Sequence, residues 1–219
     1  MERYFNTAGP VRESEHYIVP PLERWDLEEI LALIRQGKYF VLHAPRQTGK
    51  TSCLDALMNY LNAEGNYTCA YANIEAAQAH RGDFKEAMLT IFEAIAAETS
   101  PVDSFLEDHR EEFYKKFTPA FLVYKALSEW SQASEKPVVL FLDEVDALVG
   151  DTLISLLRQL RTGYKNRPQR FPLSIVLCGV RDIIDYRIHS ESEKDIITGG
   201  SAFNVKAKSL RLGLSLIHI

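Results

Sequence analysis

The string Ala44-Pro45-Arg46-Gln47-Thr48-Gly49-Lys50-Thr51 constrains this chain more than any other. It follows an apolar run, Tyr39 to Leu42, and opens a stretch in which Leu54, Leu57, Met58 and Leu61 share one helical face. A loop between a buried strand and a helix turns successive backbone N–H groups and the helix N-terminus toward one point, where they cradle an anion. In that setting the spacing matches GxxxxGK[ST], with Ala44 where the first glycine would stand. Alanine accepts most backbone angles but not positive φ, so this is a small departure from the pattern. Lys50 is positioned to reach the β- and γ-phosphates of a nucleotide, and the Thr51 hydroxyl to ligate magnesium. The candidate phosphate-binding residues run from Ala44 through Ser52. An accidental GKT in a turn is the bland alternative, and the strand before it and helix after it argue against that.

A second string, Val138 to Asp146, reads VVLFLDEVD. An apolar run ending in an acid places Asp143 at the C-terminal tip of a buried strand, the edge at which open parallel sheets bind ligands. Asp143 would hold magnesium through water, and Glu144 would accept a proton from an attacking water. For Asp146, capping a turn is as good a reading as catalysis. A third string, Leu177 to Asp182, sets Arg181 just past another strand, where a guanidinium touches a γ-phosphate or merely pairs with Asp182 on the surface.

Between these strings, strands alternate with helices. Strands are expected at Lys38–His43, Thr68–Ile74, Val138–Leu142, Leu173–Gly179 and, last, Ser209–Leu212. Helices are expected from Leu22 to Gly37, from Thr51 to Leu61, after an Asp83 cap to Ala97, from Pro119, and after an Asp151 cap. The charged segment Ser104–Phe117 reads as an exposed helical insertion. Such alternation means an α/β fold with a parallel sheet covered on both faces. Hydrophobic residues at 46% and charged residues at 25% allow a full core. A net charge of −5 does not advertise nucleic-acid binding over the whole chain. Cys53, Cys69 and Cys178 have no paired spacing, which fits buried thiols in a reducing cytoplasm. The N-terminus carries Glu2 and Arg3 and no apolar segment, so no secretory leader is expected, and no apolar run is long enough for a membrane. His43 and His80 read as structural.

The strings FVLHAPRQTGKTS, VVLFLDEVDAL, LLRQLRTGY, CGVRDIIDY and SAFNVKAKSL resemble the AAA-like, archaeal-type P-loop ATPases, within the additional-strand group that holds AAA+ and STAND proteins. The resemblance covers Arg3 to about Gly213. It implies a three-layer α/β/α sandwich with sheet order 5-1-4-3-2, and ATP with Mg²⁺ as ligands. It implies Walker A roles for Lys50 and Thr51, Walker B roles for Asp143 and Glu144, and a sensor role for Arg181. In such families an arm before the first helix lies against the adenine. Here that arm includes Ile18, Val19 and Pro20, with Arg24 just after, although Pro stands where the family has Gly. A staple onto the sheet is the alternative.

The resulting division is an arm over 1–21, an ATPase core over 22–213 and a tail, Leu214–Ile219, that reads as non-native or truncated where the family continues into a lid. A missing lid predicts loose ATP binding and an uncovered apolar surface open to a second copy or a protein partner. The basic stretch Arg158, Arg161, Lys165, Arg167 and Arg170 has three readings: a solvated face, an arginine reaching a neighbour's site, or a nucleic-acid patch. An ATP-hydrolysing switch is the leading function. A non-hydrolysing scaffold, a P-loop kinase and a DNA-associated helper ATPase are the rivals, and a kinase would have its 138–142 strand beside the 39–43 strand.

Overall fold

A computed structural model of the chain describes residues 4, 14–17, 19–180, 187–189, 196–198 and 203–213, with backbone alone at 187–189 and 196–198. The strands are β1 (Tyr39–His43), β2 (Thr68–Asn73), β3 (Val138–Asp143), β4 (Ser174–Gly179), β5 (Arg187–His189), β6 (Ile196–Thr198) and β7 (Lys206–Arg211). The helices are α1 (Leu27–Arg35), α2 (Lys50–Glu64), α3 (Phe84–Thr99), α4 (Phe105–Asp108), α5 (Arg110–Lys116), α6 (Pro119–Ala133) and α7 (Gly150–Gly163). Five strands make one sheet in the order β2-β3-β4-β1-β7, and every neighbouring pair is parallel. With β7 as the fifth strand this is the expected 5-1-4-3-2 order. β4 separates β1 from β3, contrary to the adjacency of a kinase.

Alternation along each strand builds two cores, because successive side chains leave opposite faces of a sheet. On one face Phe40, Leu42, Phe141, Val176 and Cys178 meet Ile30 and Ile34 of α1 and Leu54, Leu57 and Leu61 of α2. On the other, Val41, Leu140, Leu142, Ile175 and Leu177 meet α3, α6 and α7 through Met88, Ile91, Leu127, Trp130, Leu156 and Leu160. Each such side chain contributes about 1.5–3 kcal/mol of burial, so the central strands are held from both sides and their C-terminal tips are fixed in space. β3 and β4 are buried along their whole length.

Several local expectations are corrected. Ser104–Phe117 is not an exposed insertion, since Leu106 and Phe113 are fully buried and Phe113 meets Phe92 edge-on at 5.6 Å. Its charged residues mask that apolar foot, to which the partly buried Phe105, Tyr114 and Phe117 add. Asp151 does not cap α7: the helix begins at Gly150 with Val149 before it and no side-chain cap. Asp151 sits in the first turn instead, where a negative charge complements the helix dipole. The first helix is split, with a 3-10 turn at Pro21–Arg24 and then α1, whose Asp26 cap accepts from the Glu29 N–H at 3.0 Å. The last sheet strand runs three residues earlier than expected and stops at Arg211. The antiparallel pair β5–β6 has no counterpart among the sequence expectations.

Candidate functional site

The loop from β1 to α2 begins as a continuation of the sheet. Ala44 is fully buried and its N–H donates to the Gly179 carbonyl of β4 at 3.2 Å. Among the described residues, the non-glycine residues with positive φ are Gln47 and Glu144. Ala44 therefore has an ordinary backbone, and alanine fits the first loop position without strain. Pro45, Arg46 and Gln47 are exposed, whereas Thr48 is buried with its hydroxyl donating to the Pro45 carbonyl at 2.7 Å. Gly49, at φ 78°, is the left-handed hinge from loop to helix. A side chain there would carry backbone strain, and its Cβ would lie 2.9 Å from the Arg24 guanidinium. α2 starts with no side-chain cap, so its first N–H groups face the loop without side-chain acceptors.

The tip of β3 meets this helix start. Asp143 is fully buried. Its Oδ2 accepts from the Thr51 hydroxyl at 3.2 Å and from the Tyr71 hydroxyl at 3.1 Å, and its Oδ1 accepts from the Glu144 N–H at 2.9 Å. Lys50 is 7% exposed, with its Nζ 3.9 Å from Glu144 Oε1. Glu144 takes φ 57°, a left-handed conformation that costs on the order of 1–3 kcal/mol for a residue with a side chain. Burial pushes the Glu144 carboxyl above the ordinary range; Lys50 opposes this, and Asp143, Asp146 and Glu75 add to it. Burial and then the charge of Asp143 push the Tyr71 phenol up, so it stays protonated and donates. Asp55, one turn along α2 from Thr51, is raised by burial and by Asp143. Glu98 is raised chiefly by burial, against the lowering effect of the Asn73 N–H that it accepts at 2.7 Å.

Asp146 makes a long-range bond rather than capping its own turn. Its Oδ1 accepts from the Val180 N–H at 3.1 Å, just past β4, and it lies where a Cβ on Gly179 would be 2.6 Å away. It thus ties the loop after β3 to the end of β4. Arg181, expected at that end, lies outside the described residues, as do Ile18 and the tail Leu214–Ile219. Val19 is half-buried and Pro20 exposed. This end of the chain is fastened by the residues that follow. Trp25 packs against Ala44, Cys53 and Leu212, and Arg24 donates to the Gly213 carbonyl at 2.8 Å and to Cys53 Sγ at 3.6 Å. Of the basic stretch, Arg158, Arg161, Lys165 and Arg170 are exposed, whereas Arg167 stacks 3.4 Å from the Tyr164 ring centroid and 5.0 Å from that of Tyr39.

The structure thus brings Lys50, Thr51, Asp143 and Glu144 together across more than ninety positions of sequence. Sequence reasoning missed Tyr71. Its signal is the spacing of two from Asn73, which pairs in register with Asp143 and shares its face.

A family model of an AAA domain matches residues 34–186. The chain belongs to that family and is an AAA-like P-loop ATPase domain. No curated protein sequence matches it. Among solved structures, a Walker-type ATPase of Pyrococcus abyssi is similar at TM-score 0.50 and 15% identity, covering 85% of this chain and 51% of that one. Cdc6p of Pyrobaculum aerophilum is similar at TM-score 0.50 and 16% identity, covering 95% and 47%. At such identities the likeness is one of fold. The chain spans about half the length of these two structures.

Proposed function

We propose that this domain binds ATP with Mg²⁺ at Ala44–Ser52 and hydrolyses it, so that ATP and ADP set two states of the domain. The observation that carries the reading is the Thr51–Asp143 hydrogen bond beside the Lys50–Glu144 pair, at the mouth of an uncapped helix. A hydroxyl and a carboxylate 3.2 Å apart are hard oxygen donors, the set magnesium prefers. Thr51 would ligate the ion and Asp143 would hold its water shell. Bound there, the ion would neutralise phosphate charge as it develops.

The remaining work belongs to side chains of this chain. Backbone N–H groups from Arg46 to Ser52 and the Lys50 ammonium would cradle the phosphates. Lys50 now faces Glu144, and an arriving phosphate competes for its ammonium. That leaves Glu144, in its raised state, with less to hold it as a spectator anion and better matched to take a proton from water. Arg181 is proposed to contact the γ-phosphate, and Ile18, Val19 and Pro20 to lie near the base. No helix among the described residues is long and apolar enough to cross a membrane. The free, buried Cys53, Cys69 and Cys178 fit a cytoplasmic setting. A fluorescent ATP titration tests the binding half of the reading. Lys50→Ala should abolish binding, and equal affinity in the two proteins would sink the phosphate-loop assignment.

A further inference from the structure

Among the described residues Asp143 has three donors, and only two come from the segments that carry the nucleotide-binding motifs. The third is Tyr71, from the neighbouring edge strand. β2 pairs with β3 so that Asn73 lies opposite Asp143 and Tyr71 opposite Phe141. Tyr71 is therefore two residues back along β2, roughly 6.6 Å, on the same face of the sheet. Its ring covers that distance, and the hydroxyl reaches Asp143 Oδ2 at 3.1 Å.

A carboxylate offers about four acceptor positions, two on each oxygen. Thr51 and Tyr71 fill the two on Oδ2, and the Glu144 N–H fills one on Oδ1. Among the described residues, one position remains, on Oδ1. We propose that Tyr71 is a positioning residue for the cation site: its hydroxyl locks the Asp143 carboxylate so that one defined lone pair is left for the water shell of a bound Mg²⁺. This inference rests on the nucleotide-binding reading above. Thr51 alone would leave the second position on Oδ2 unfilled. The Glu144 N–H holds Oδ1 and leaves Oδ2 to the two hydroxyls. Without the phenol, Oδ2 has an open position, the carboxylate can turn about its last bond, and cation water can meet it in more than one arrangement. The consequence is confined to the Mg²⁺-dependent part of nucleotide affinity. The phosphate cradle is built by other groups.

The test is the affinity of a fluorescent ATP analogue, measured in Mg²⁺ and in EDTA, for the wild-type chain and for Tyr71→Phe. The wild type should bind more tightly in Mg²⁺. Tyr71→Phe should keep the EDTA affinity within about twofold and lose roughly tenfold or more of the Mg²⁺ gain, the scale of one hydrogen bond to a charged group. An unchanged or enlarged Mg²⁺ gain would overturn the proposal, and so would equal losses in both buffers, which would mark a purely structural residue. A wild type that binds no nucleotide would remove the underlying reading and this inference with it. As a check that does not depend on the variant folding, 3-fluorotyrosine placed at position 71 keeps the hydroxyl. Its ¹⁹F resonance should move when Mg²⁺ is added to the nucleotide-bound chain, and a resonance that stays put would overturn the proposal.

Discussion

Gly179→Ala probes the joint between the two central strand ends. Gly179 closes β4, and a Cβ built there lies 2.6 Å from Asp146 Oδ1, 3.3 Å from its Cγ and 3.6 Å from its Cβ. Gly179 does not have a positive φ, so backbone strain is not involved. The methyl must displace the Asp146 carboxylate, which then loses the Val180 N–H that it accepts at 3.1 Å. A hydrogen bond to a charged group contributes about 1.5–3 kcal/mol, and the freed N–H is left without its acceptor. We expect a loss of about 2–3 kcal/mol in urea unfolding, or roughly 5–10 °C in melting temperature for a chain of this size. The cause is isolated by a double-mutant cycle. On an Asp146→Ala background the bond is already gone and the space is open, so Gly179→Ala should cost no more than about 0.5 kcal/mol. Equal costs on both backgrounds would refute the clash with Asp146 as the mechanism.

Other outcomes follow from the same packing. Gly163→Ala places a Cβ 2.4 Å from three atoms of the fully buried Phe171 ring. It should destabilise by about 3 kcal/mol in the same assay, near the upper end for overpacking; a cost below about 1 kcal/mol would mean that the ring yields freely. Asp55, Glu98 and Glu144 all have raised carboxyls, chiefly through burial. The folded chain then keeps protons that the unfolded chain has lost, so stability should fall as pH rises from about 4 through the raised values and level off above them. Glu98→Gln keeps an oxygen for the Asn73 N–H but carries no charge, so it should lessen that fall. An identical pH profile for the variant and the wild type would remove Glu98 from the explanation.

The parts of the fold legible in the sequence are those that one local pattern decides. Apolar runs at Tyr39–Leu42 and Val138–Leu142 become β1 and β3 because a strand buried on both faces has no polar side to show. Lys206–Arg211 alternates lysine with smaller residues and lies at the sheet edge, so its polar face blurred its start. The order of the strands is a tertiary property, and it came from the resemblance rather than from periodicity. Ser104–Phe117 hides its packing in the sequence because charges outnumber its apolar residues, while Leu106 and Phe113, with Phe105, Tyr114 and Phe117 beside them, decide where it packs. In the site, Lys50, Thr51, Asp143 and Glu144 were legible since each sits in a string with its own spacing. Tyr71 was not, because its role arises only when β2 is laid in register beside β3.

The central claim is that Glu144 accepts the proton from the attacking water while Lys50 and Thr51 serve the phosphates and the cation. The most direct test is phosphate release from ATP in Mg²⁺ at saturating nucleotide, comparing wild type with Glu144→Gln at matched occupancy. The glutamine keeps the shape and loses the proton acceptor, so release should fall by roughly 10²-fold or more, with ATP affinity little changed. Release from Glu144→Gln at the wild-type rate would contradict the account.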